Sequence, residues 1–355
     1  MNPKSIINLF SILVLLFSFS FIFPIVISIV FDDGALPIFL KTLISISLLG
    51  LTGLFLTRNI KNDLSQKDGF VIIVMFWIVL SLTGSVPFYL SGMSLIDSVF
   101  ESMSGITTTG ATVISSLDGL PESILFYRQL LQWMGGMGLI VLAIAVMPLL
   151  GIGGGQIYKT EVPGAMGEQR LTPRIKETAQ ALWLIYFGLT AVCGILYYLS
   201  GMSAFDAVSH AMSTVAIGGF STHNESIGFF NSISIELICI CFMLLSAFSF
   251  ALHYFAIYKR KPLKYAFDPE FRFFISFLFI ILFIAVLIGF FVEGGKSPSI
   301  REIIFHTVSM VTTTGFSISD TSDWPFSMSF LLLIGAFVGA CSGSVGGGVK
   351  SWRIM

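Results

Sequence analysis

The feature that most constrains this chain is the recurrence of long apolar runs along its whole length. A run of about 20 residues is what an α-helix needs to cross roughly 30 Å of hydrocarbon. The sequence therefore predicts an all-α polytopic membrane protein. Eight runs meet the length criterion, at residues 5–30, 36–57, 70–90, 124–149, 180–199, 233–258, 271–292 and 326–348.

The composition agrees with a membrane protein. Hydrophobic residues make up 55% of the 355 positions, and the mean hydropathy is +0.91. Asp, Glu, Lys and Arg together account for 11%, whereas soluble domains carry about 25%. These values exclude a soluble enzyme and a disordered chain, and a net charge of −1 gives nucleic acid nothing to bind.

Neither a cleaved leader nor a disulfide framework is expected. The first apolar run follows Lys4 and has no small-residue cleavage site, which indicates a retained helix rather than a signal peptide. The four cysteines lie inside apolar runs, so we interpret them as packing residues. They are Cys193, Cys239, Cys241 and Cys341.

The placement of charge predicts the orientation of the helices. With a cytoplasmic N-terminus and a chain that alternates sides, 15 of the 19 Lys and Arg residues fall on the cytoplasmic face, a strong positive-inside bias. The outer face then carries four basic and 13 acidic residues, a net charge of −9, and the inner face carries +8. Such an outer face attracts cations, although acids that are merely tolerated outside would give the same count.

Three segments of about twenty residues align without gaps and form an internal repeat, at 91–111, 200–220 and 297–316. Each copy lies between two apolar runs on the acidic side. The unit is therefore a membrane helix, a short amphipathic segment, a glycine-containing turn and a second membrane helix. The coinciding positions are Gly110, Gly219 and Gly315; Ser104, Ser213 and Ser309; and Asp97, Asp206 and Glu302.

The amphipathic segment of each repeat is too short to cross the membrane. In the first copy it runs from Asp97 to Ile106. Ser94 in the first copy and Ser203 in the second are plausible N-caps, and an acid in the first turn suits the helix dipole. We expect a half-length helix that re-enters the membrane and ends in a Thr-Gly or Gly-Gly turn. Irregular backbone at that depth is tolerated only where it is buried in protein or lines a water-filled path.

The turns at the ends of these half-helices are candidate ion-binding sites. Glycine adopts positive φ without strain, so such a turn can direct consecutive carbonyl oxygens toward one axis. Rings of carbonyls replace the hydration shell of a monovalent cation, and the half-helices add their negative C-terminal ends. One copy alone would fit an exposed turn, but three copies in register favour a filter. The candidate residues are Thr108, Thr109, Gly110, Ile217, Gly218, Gly219, Thr313, Thr314 and Gly315.

These turns resemble the degenerate selectivity filters of the Trk/Ktr/HKT superfamily of potassium transporters. The resemblance is carried by Thr-Thr-Thr-Gly at 107–110, Ala-Ile-Gly-Gly-Phe at 216–220 and Thr-Thr-Thr-Gly-Phe at 312–316. The segments at 128–138 and 153–156, and the two helices ahead of the first repeat, are similar to the bacterial Trk type.

The resemblance implies potassium uptake across the bacterial cytoplasmic (inner) membrane. It implies a homodimer embedded in membrane lipid and a cytoplasmic nucleotide-binding, TrkA-like regulatory subunit. No cofactor is implied, and the only metal is the transported K⁺, held by filter carbonyls. Because few filter residues match a strict potassium-channel filter, discrimination against sodium is expected to be modest.

The superfamily builds its pore from four repeats around a pseudo-fourfold axis, and this sequence contains three. We therefore expect the chain to be C-terminally incomplete. The predicted organisation is two N-terminal helices at 1–69, repeat 1 at 70–150, a cytoplasmic loop with repeat 2 at 151–260, and repeat 3 at 261–355.

The last apolar run is crowded with glycines, each of which costs about 1 kcal/mol relative to alanine in a helix. A continuous helix is therefore not expected. In the superfamily a flexible intramembrane loop breaks the corresponding helix beneath the filter and acts as a gate, and the glycine-rich loop at 339–350 matches it. The alternative is that small residues merely let helices approach. The candidate gate residues are Gly343, Gly346, Gly347, Gly348 and Lys350.

Two other glycine patterns are interpreted differently. Close helix packing is the preferred reading for Gly135, Gly136 and Gly138, which lie mid-helix without an adjacent polar loop. A phosphate-binding loop is rejected for the last run, because Val349 separates its glycines from Lys350 and no strand precedes it.

The remaining polar residues receive structural roles. His210 and His306 are equivalent positions on the half-helices, with Glu101 in the first copy, and solvated or packing roles are favoured over proton relay. Arg128 is expected to snorkel or to pair with Glu122 or Asp118. His223 and His253 have no partner at ligand spacing, so no metal site is expected.

Two alternative functions stay open. A symporter coupled to Na⁺ or H⁺ would need an ionisable residue at mid-membrane, and His253 is the one that stands out, although coupling could arise without one. A truncated, non-transporting membrane scaffold would explain the missing repeat.

Overall fold

A computed structural model describes residues 3–58, 66–138, 175–291 and 298–355. The described chain is almost entirely helical, which confirms the predicted all-α membrane fold. It divides into two units, Met1–Tyr158 and Lys159–Met355, which are taken separately below. The second half of the run at 124–149, the motif at 153–156 and most of the basic loop after it lie outside the described residues. The predicted repeat boundaries stay predictions.

The first unit begins with an antiparallel helical hairpin and continues into repeat 1. Asp32 closes α2 in the left-handed conformation with φ 50°, which starts the turn of the hairpin. The elements are α1 (Pro3–Ser18), a 3₁₀ turn (Phe19–Phe21), α2 (Ile22–Phe31), α3 (Leu36–Leu56), α4 (Gln66–Gly84), α5 (Val86–Leu90), α6 (Leu95–Ile106) and α7 (Glu122–Gly136).

The second unit contains repeats 2 and 3. Its one two-stranded sheet in the described chain is parallel, with Val338 opposite Val349 and Gly339 opposite Lys350. The elements are α8 (Ile175–Leu199), α9 (Ala204–Val215), a 3₁₀ turn (Ser226–Phe230), α10 (Ile233–Ala247), α11 (Phe250–Ile257), α12 (Lys264–Phe267), α13 (Pro269–Phe291), α14 (Ile300–Val311), α15 (Phe326–Phe337), β1 (Val338–Gly339), β2 (Val349–Lys350) and α16 (Ser351–Ile354).

Within the described residues, five predicted runs are helices long and apolar enough to cross a membrane, at Pro3–Phe31, Leu36–Leu56, Val71–Leu90, Gln180–Leu199 and Pro269–Phe291. Two other runs are not continuous helices. The run at 233–258 breaks between α10 and α11 and bends by 98°, so it is not one continuous helix. The run at 326–348 is helical only to Phe337, as the glycine content led us to expect.

The core of the first unit is an aromatic cluster around Tyr127 of α7. Its ring centroid lies 5.7 Å from that of Phe21, 5.6 Å from Phe39 and 5.4 Å from Phe88. The buried hydroxyl donates to the carbonyl oxygen of Gly84 at 2.9 Å, at the end of α4. The N-terminal hairpin is thereby packed onto repeat 1, and Tyr127 satisfies a backbone group that the helix end leaves open.

A polar contact fixes the same hairpin to the start of α7. Asp33, in the turn before α3, accepts the backbone N–H of Ser123 at 2.8 Å and that of Ala35 at 3.0 Å. It also accepts the hydroxyl of Ser28. The carboxylate therefore caps the positive N-terminal end of α7 from a distant part of the chain.

The cysteines and the outer helix faces fit a membrane setting. Cys193, Cys239 and Cys341 are buried and unpaired, which confirms the packing prediction for those three, whereas Cys241 is exposed. Large apolar side chains such as Phe55, Phe291 and Phe326 are exposed. Such surfaces are unfavourable in water and suited to lipid.

Candidate functional site

Three half-helices, α6, α9 and α14, carry the filter turns at residues 107–110, 216–219 and 312–315. Each half-helix has 12 residues and starts at a serine whose side chain accepts a backbone N–H three residues later. The donors are Asp97, Asp206 and Glu302, and in the third copy Glu302 completes a capping box. Short helices of about the expected length, each capped by a serine, are thus present in all three repeats.

The three filter turns share one unusual backbone conformation. The glycines have φ of 79°, 80° and 86° at Gly110, Gly219 and Gly315. Two residues before each glycine, a β-branched residue is also left-handed. These residues are Thr108 at 54°, Ile217 at 53° and Thr313 at 64°. A β-branched residue in this region is strained by about 1–3 kcal/mol and is held there only by the surrounding structure.

Backbone hydrogen bonds show what holds this conformation. Thr108 N–H donates to the carbonyl of Gly105 at 3.0 Å, and Thr109 N–H donates to that of Ser104 at 2.9 Å. The second turn repeats the pattern from Ile217 to Thr214 at 3.1 Å and from Gly218 to Ser213 at 2.9 Å. The third does so from Thr313 to Met310 at 2.9 Å and from Thr314 to Ser309 at 2.8 Å.

The direction of these bonds decides where the carbonyls point. In a trans peptide the carbonyl oxygen lies opposite the N–H of the next residue. Because the N–H groups point back into the half-helix, the preceding carbonyls point away from it. Each turn therefore presents consecutive carbonyl oxygens on the side beyond the negative C-terminal end of its half-helix, which is an arrangement suited to a cation.

Threonine side chains reinforce the first and third turns. Thr107 Oγ1 donates to the carbonyl of Met103 at 2.6 Å and lies 2.8 Å from Thr109 Oγ1. Thr312 Oγ1 makes the same two contacts, to Val308 at 2.8 Å and to Thr314 Oγ1 at 2.8 Å. The second turn has Ala216 and Gly218 at these positions, so it lacks the hydroxyl pair.

Two glycines permit close backbone approach at the filter turns. A Cβ on Gly135 of α7 would lie 1.9 Å from the carbonyl oxygen of Ile106, the last residue of α6. A Cβ on Gly219 would lie 2.1 Å from the carbonyl oxygen of Thr314. The packing interpretation of Gly135 is confirmed, and the second and third filter turns lie side by side within their unit.

The glycine-rich loop at 339–350 lies against the second and third filter turns. Gly347 N–H donates to Thr313 Oγ1 at 2.7 Å. A Cβ on Gly346 would lie 3.3 Å from the carbonyl oxygen of Thr312 and 3.7 Å from Ile217. Lys350 Nζ donates to the carbonyl of Gly346 and lies 3.4 Å from that of Ser344. The predicted gate residues Gly346, Gly347 and Lys350 thus form one structure next to the filter turns.

The break between α10 and α11 supplies backbone partners for the loop. The end of α10 leaves carbonyls unpaired by its own helix. Cys341 N–H donates to the carbonyl of Ala247 at 3.0 Å, and Val345 N–H donates to that of Ser246 at 3.4 Å. In return Phe250 N–H, the first of α11, donates to the carbonyl of Gly343 at 3.0 Å.

Glu270, near the start of α13, holds both ends of the loop. Its Oε1 accepts the N–H of Ser342 at 2.6 Å and that of Trp352 at 3.1 Å. The side chain is 6% exposed, so these contacts are sheltered from water. Sequence reasoning missed this residue and the helix break. An acid at the start of an apolar run was the signal for Glu270. The break has no such signal, because 248–250 (Phe-Ser-Phe) contains no proline or glycine.

The structure corrects the expectation that Arg128 snorkels. It does not snorkel, because its side chain is 1% exposed. Its Nε donates instead to Glu101 Oε1 at 2.7 Å, a partner that sequence reasoning did not consider. Glu101 lies 27 residues away in sequence, on α6, so no helical spacing could have indicated the pair.

The histidines are bonded rather than solvated. His210 is fully buried and His306 is 4% exposed. The prediction that they are solvated is therefore wrong, whereas a packing role agrees with their burial. His253 Nε2 bonds the carbonyl of Leu245 at 2.8 Å at the helix break, and His223 Nε2 lies 3.1 Å from Asp206 Oδ1. In the described part of the chain no three His, Cys, Asp or Glu side chains are grouped to hold a metal ion.

The comparisons with known proteins agree with this architecture. A family model described as TrkH, cation transport protein, matches residues 35–355. The Trk system potassium uptake protein TrkH of Halomonas elongata is 48% identical, covering 100% of this chain and 74% of that protein. The protein of the same name from Escherichia coli K12 is 43% identical over the same shares.

A solved structure is also similar. The crystal structure of the potassium transporter TrkH from Vibrio parahaemolyticus superposes with a TM-score of 0.87 at 43% identity, covering 100% of this chain and 74% of that one. The fold and the matches define a polytopic membrane protein of the cation-transport class. Within that class, the chain belongs to the TrkH family.

Proposed function

We propose that this protein takes up potassium, with its filter turns selecting the ion through backbone carbonyls. The observation that carries the proposal is the repeated conformation of the three turns. In each, a strained left-handed residue and a left-handed glycine two positions later are held on the end of a half-helix. The relatives named as potassium uptake proteins support the choice of ion.

The bond directions turn the carbonyls of Thr107 and Thr108, and those of the equivalent residues in the other turns, away from the half-helices. The proposed ion-binding carbonyls continue from Thr108 along each turn. Carbonyls at Thr108, Thr109 and Gly110, and at the equivalent positions of the other two turns, replace water around K⁺. The equivalent residues are Ile217, Gly218, Gly219, Thr313, Thr314 and Gly315. Discrimination against sodium is modest in this account, since Ala216 and Gly218 lack the hydroxyls that bond Thr107 to Thr109.

The glycine-rich loop acts as the gate. Its contacts with Thr313 and with the helix break hold it against two filter turns. Opening then requires the bond of Gly347 to Thr313 to break, whereas the bond of Lys350 to Gly346 holds the loop together internally. Gly343 and Gly348, with φ of 72° and 71°, give the loop the turns that this path needs.

The setting and partners complete the proposal. We place the protein in the bacterial inner membrane with its N-terminus in the cytoplasm, on the charge bias of the sequence. The "Trk system" naming of the relatives points to more than one component. A TrkA-like nucleotide-binding subunit on the cytoplasmic side and a homodimer are the partners we infer, and co-purification of the full-length protein with each checks them.

Flux in proteoliposomes tests the function. The full-length protein should carry radioactive rubidium down its gradient, and external K⁺ should compete more strongly than Na⁺. Flux that needs a Na⁺ or H⁺ gradient would instead show a symporter. No saturable flux in the presence of the regulatory subunit would overturn the proposal.

A further inference from the structure

The residue nine positions before the filter glycine is polar in all three repeats. It is Glu101 in the first, His210 in the second and His306 in the third. The three residues are 0%, 0% and 4% exposed. Burying a polar or ionisable side chain is costly unless it is hydrogen-bonded, so the partners of these residues indicate what they do.

In repeat 1, Glu101 binds the chain just after the filter turn. Its Oε2 accepts the hydroxyl of Thr112 at 2.9 Å and the N–H of Val113 at 3.3 Å. Arg128 donates through Nε to Glu101 Oε1 at 2.7 Å and through Nη2 to Thr112 Oγ1 at 3.2 Å. The buried Glu101–Arg128 pair therefore joins the half-helix and α7 to the segment after the filter, at Thr112, two residues beyond Gly110.

In repeat 2, different chemistry joins the same positions. His210 Nδ1 lies 2.9 Å from the carbonyl oxygen of Asp206, which can only accept. In the neutral ring, Nε2 therefore accepts from the hydroxyl of Ser221 at 2.9 Å. Ser221 lies two residues after Gly219, as Thr112 lies two residues after Gly110. Its oxygen also accepts the N–H of His223 at 3.0 Å.

In repeat 3 the contact is weaker. His306 Nε2 lies 3.5 Å from Ile318 N and 3.4 Å from Ser319 Oγ, at the limit of a hydrogen bond. The segment after this filter turn is held from the other side instead. Ser317 N–H donates to Ser226 Oγ at 3.3 Å, and Gly228 N–H donates to the Ser317 carbonyl at 3.2 Å.

We propose that Glu101 and His210 are positioning residues for the filter, each tying the exit of its filter turn back to its own half-helix. His306 occupies the equivalent place and contributes little. A strained turn keeps its conformation only when both ends are held. The half-helix holds the entrance through backbone bonds, and these side chains hold the exit. The inference rests on the proposed function, because it concerns ion selection by the same turns.

Conservative changes at the receiving hydroxyls test the idea without leaving a buried charge unpaired. Thr112→Val keeps the shape and removes the hydroxyl, whereas Thr112→Ser keeps the hydroxyl. Ser221→Ala and Ser221→Thr form the second pair, and Ser319→Ala tests repeat 3. Each is made in the full-length protein, and rubidium uptake is measured with KM, maximal rate, inhibition by sodium and the amount of protein in the membrane.

Thr112→Val and Ser221→Ala should each lower the selectivity for rubidium over sodium about fivefold, which is the change in an equilibrium constant that the net contribution of one ordinary hydrogen bond corresponds to. Maximal rate per molecule should change less. Thr112→Ser and Ser221→Thr should stay close to the parent, and Ser319→Ala should change selectivity less than either hydroxyl deletion.

The charged pair gives an independent check. Glu101→Gln removes the negative charge that faces the buried Arg128 guanidinium, so it is compared with a double variant that removes both charges. The double variant Glu101→Gln, Arg128→Gln should recover protein in the membrane but not selectivity.

Unchanged selectivity in Thr112→Val and Ser221→Ala, with only the amount of protein altered, would overturn the positioning role. Failure of the proposed function looks different, since the unaltered protein would then show no saturable rubidium uptake. Equal selectivity losses in all three repeats would also contradict the inference, because the hydrogen bonds of Glu101 and His210 are short whereas those of His306 are at the distance limit.

Discussion

Replacing Glu270 should release the glycine-rich loop and raise ion flux. One oxygen of this buried carboxylate accepts the backbone N–H groups of Ser342 and Trp352, at 2.6 Å and 3.1 Å. These residues lie at the two ends of the loop. When the loop moves away from the filter turns, both contacts must break unless the Glu270 side chain moves with the loop. Glu270 therefore stabilises the loop in the position seen here.

The size of the effect follows from the type of bond. A hydrogen bond to a charged group contributes about 1.5–3 kcal/mol. Because the two N–H groups share one oxygen, we take the lower end for each, about 3 kcal/mol together. At about 1.4 kcal/mol for each factor of ten, Glu270→Ala should shift the balance between closed and open loop by about 100-fold. Glu270→Gln keeps a neutral acceptor of about half the strength, which gives about tenfold.

The assay is rubidium uptake by the full-length protein without its regulatory partner, normalised to protein in the membrane. Asp268→Ala is the matched control. Asp268 lies two residues earlier and caps α13 by accepting the N–H of Phe271 at 2.8 Å, so the control removes an acid from the same helix end and leaves both Glu270 contacts to the loop in place. Flux should rise in the order Asp268→Ala, Glu270→Gln, Glu270→Ala. Unchanged or lower flux per molecule in Glu270→Ala would refute the reasoning.

Three further predictions concern packing, the gate and pH. Gly135→Ala should lower the free energy of unfolding by a few kcal/mol through overpacking and should reduce uptake, because the added Cβ would lie 1.9 Å from the Ile106 carbonyl oxygen. Gly188→Ala, with open space around the added Cβ, should be neutral. Equal melting temperatures for the two variants would contradict this prediction. Deleting Gly346–Gly348 should raise basal rubidium flux, since the loop then loses its bond to Thr313, and an inert deletion would favour simple packing. Burial alone would raise the pKa of Asp33, but its hydrogen bonds with Ser123, Ser28 and Ala35 lower it below the ordinary 3.8. Its stabilising contribution is therefore complete above the ordinary Asp pKa and is lost as pH falls through the lower folded-state pKa. Melting temperature measured between about pH 2 and about pH 5, a range that includes the ordinary Asp pKa and values below it, should fall more steeply toward acid for the parent than for Asp33→Asn, and parallel curves would contradict it.

The membrane helices and half-helices could be predicted because their signals are local. Apolar run length identified the five spanning helices of the described chain, and Ser94 and Ser203, each followed three residues later by an acid, marked the start of the first two half-helices. The alignment of Gly110, Gly219 and Gly315 placed the filter turns at equivalent positions, and all three have the same left-handed backbone.

What could not be predicted depends on contacts between distant residues. The bond from Glu270 to Ser342 spans 72 positions, and Arg128 reaches Glu101 across 27. The break at 248–249 has no glycine or proline, and what stabilises it is the glycine-rich loop, whose backbone pairs with the open ends of α10 and α11. A local pattern carries no record of such partners, so the run at 233–258 looked like one helix.

The most direct test of the central claim compares two glycines that differ only in place. Gly315 in the third filter turn has φ of 86°, Gly119 in the loop before α7 has φ of 85°, and neither has a heavy atom within 4 Å of an added Cβ. Alanine therefore imposes the same backbone strain at both. If carbonyls of the filter turns select the ion, Gly315→Ala should lose selective rubidium uptake while Gly119→Ala retains it, at equal protein in the membrane. Equal uptake and equal sodium inhibition in the two variants would contradict the account.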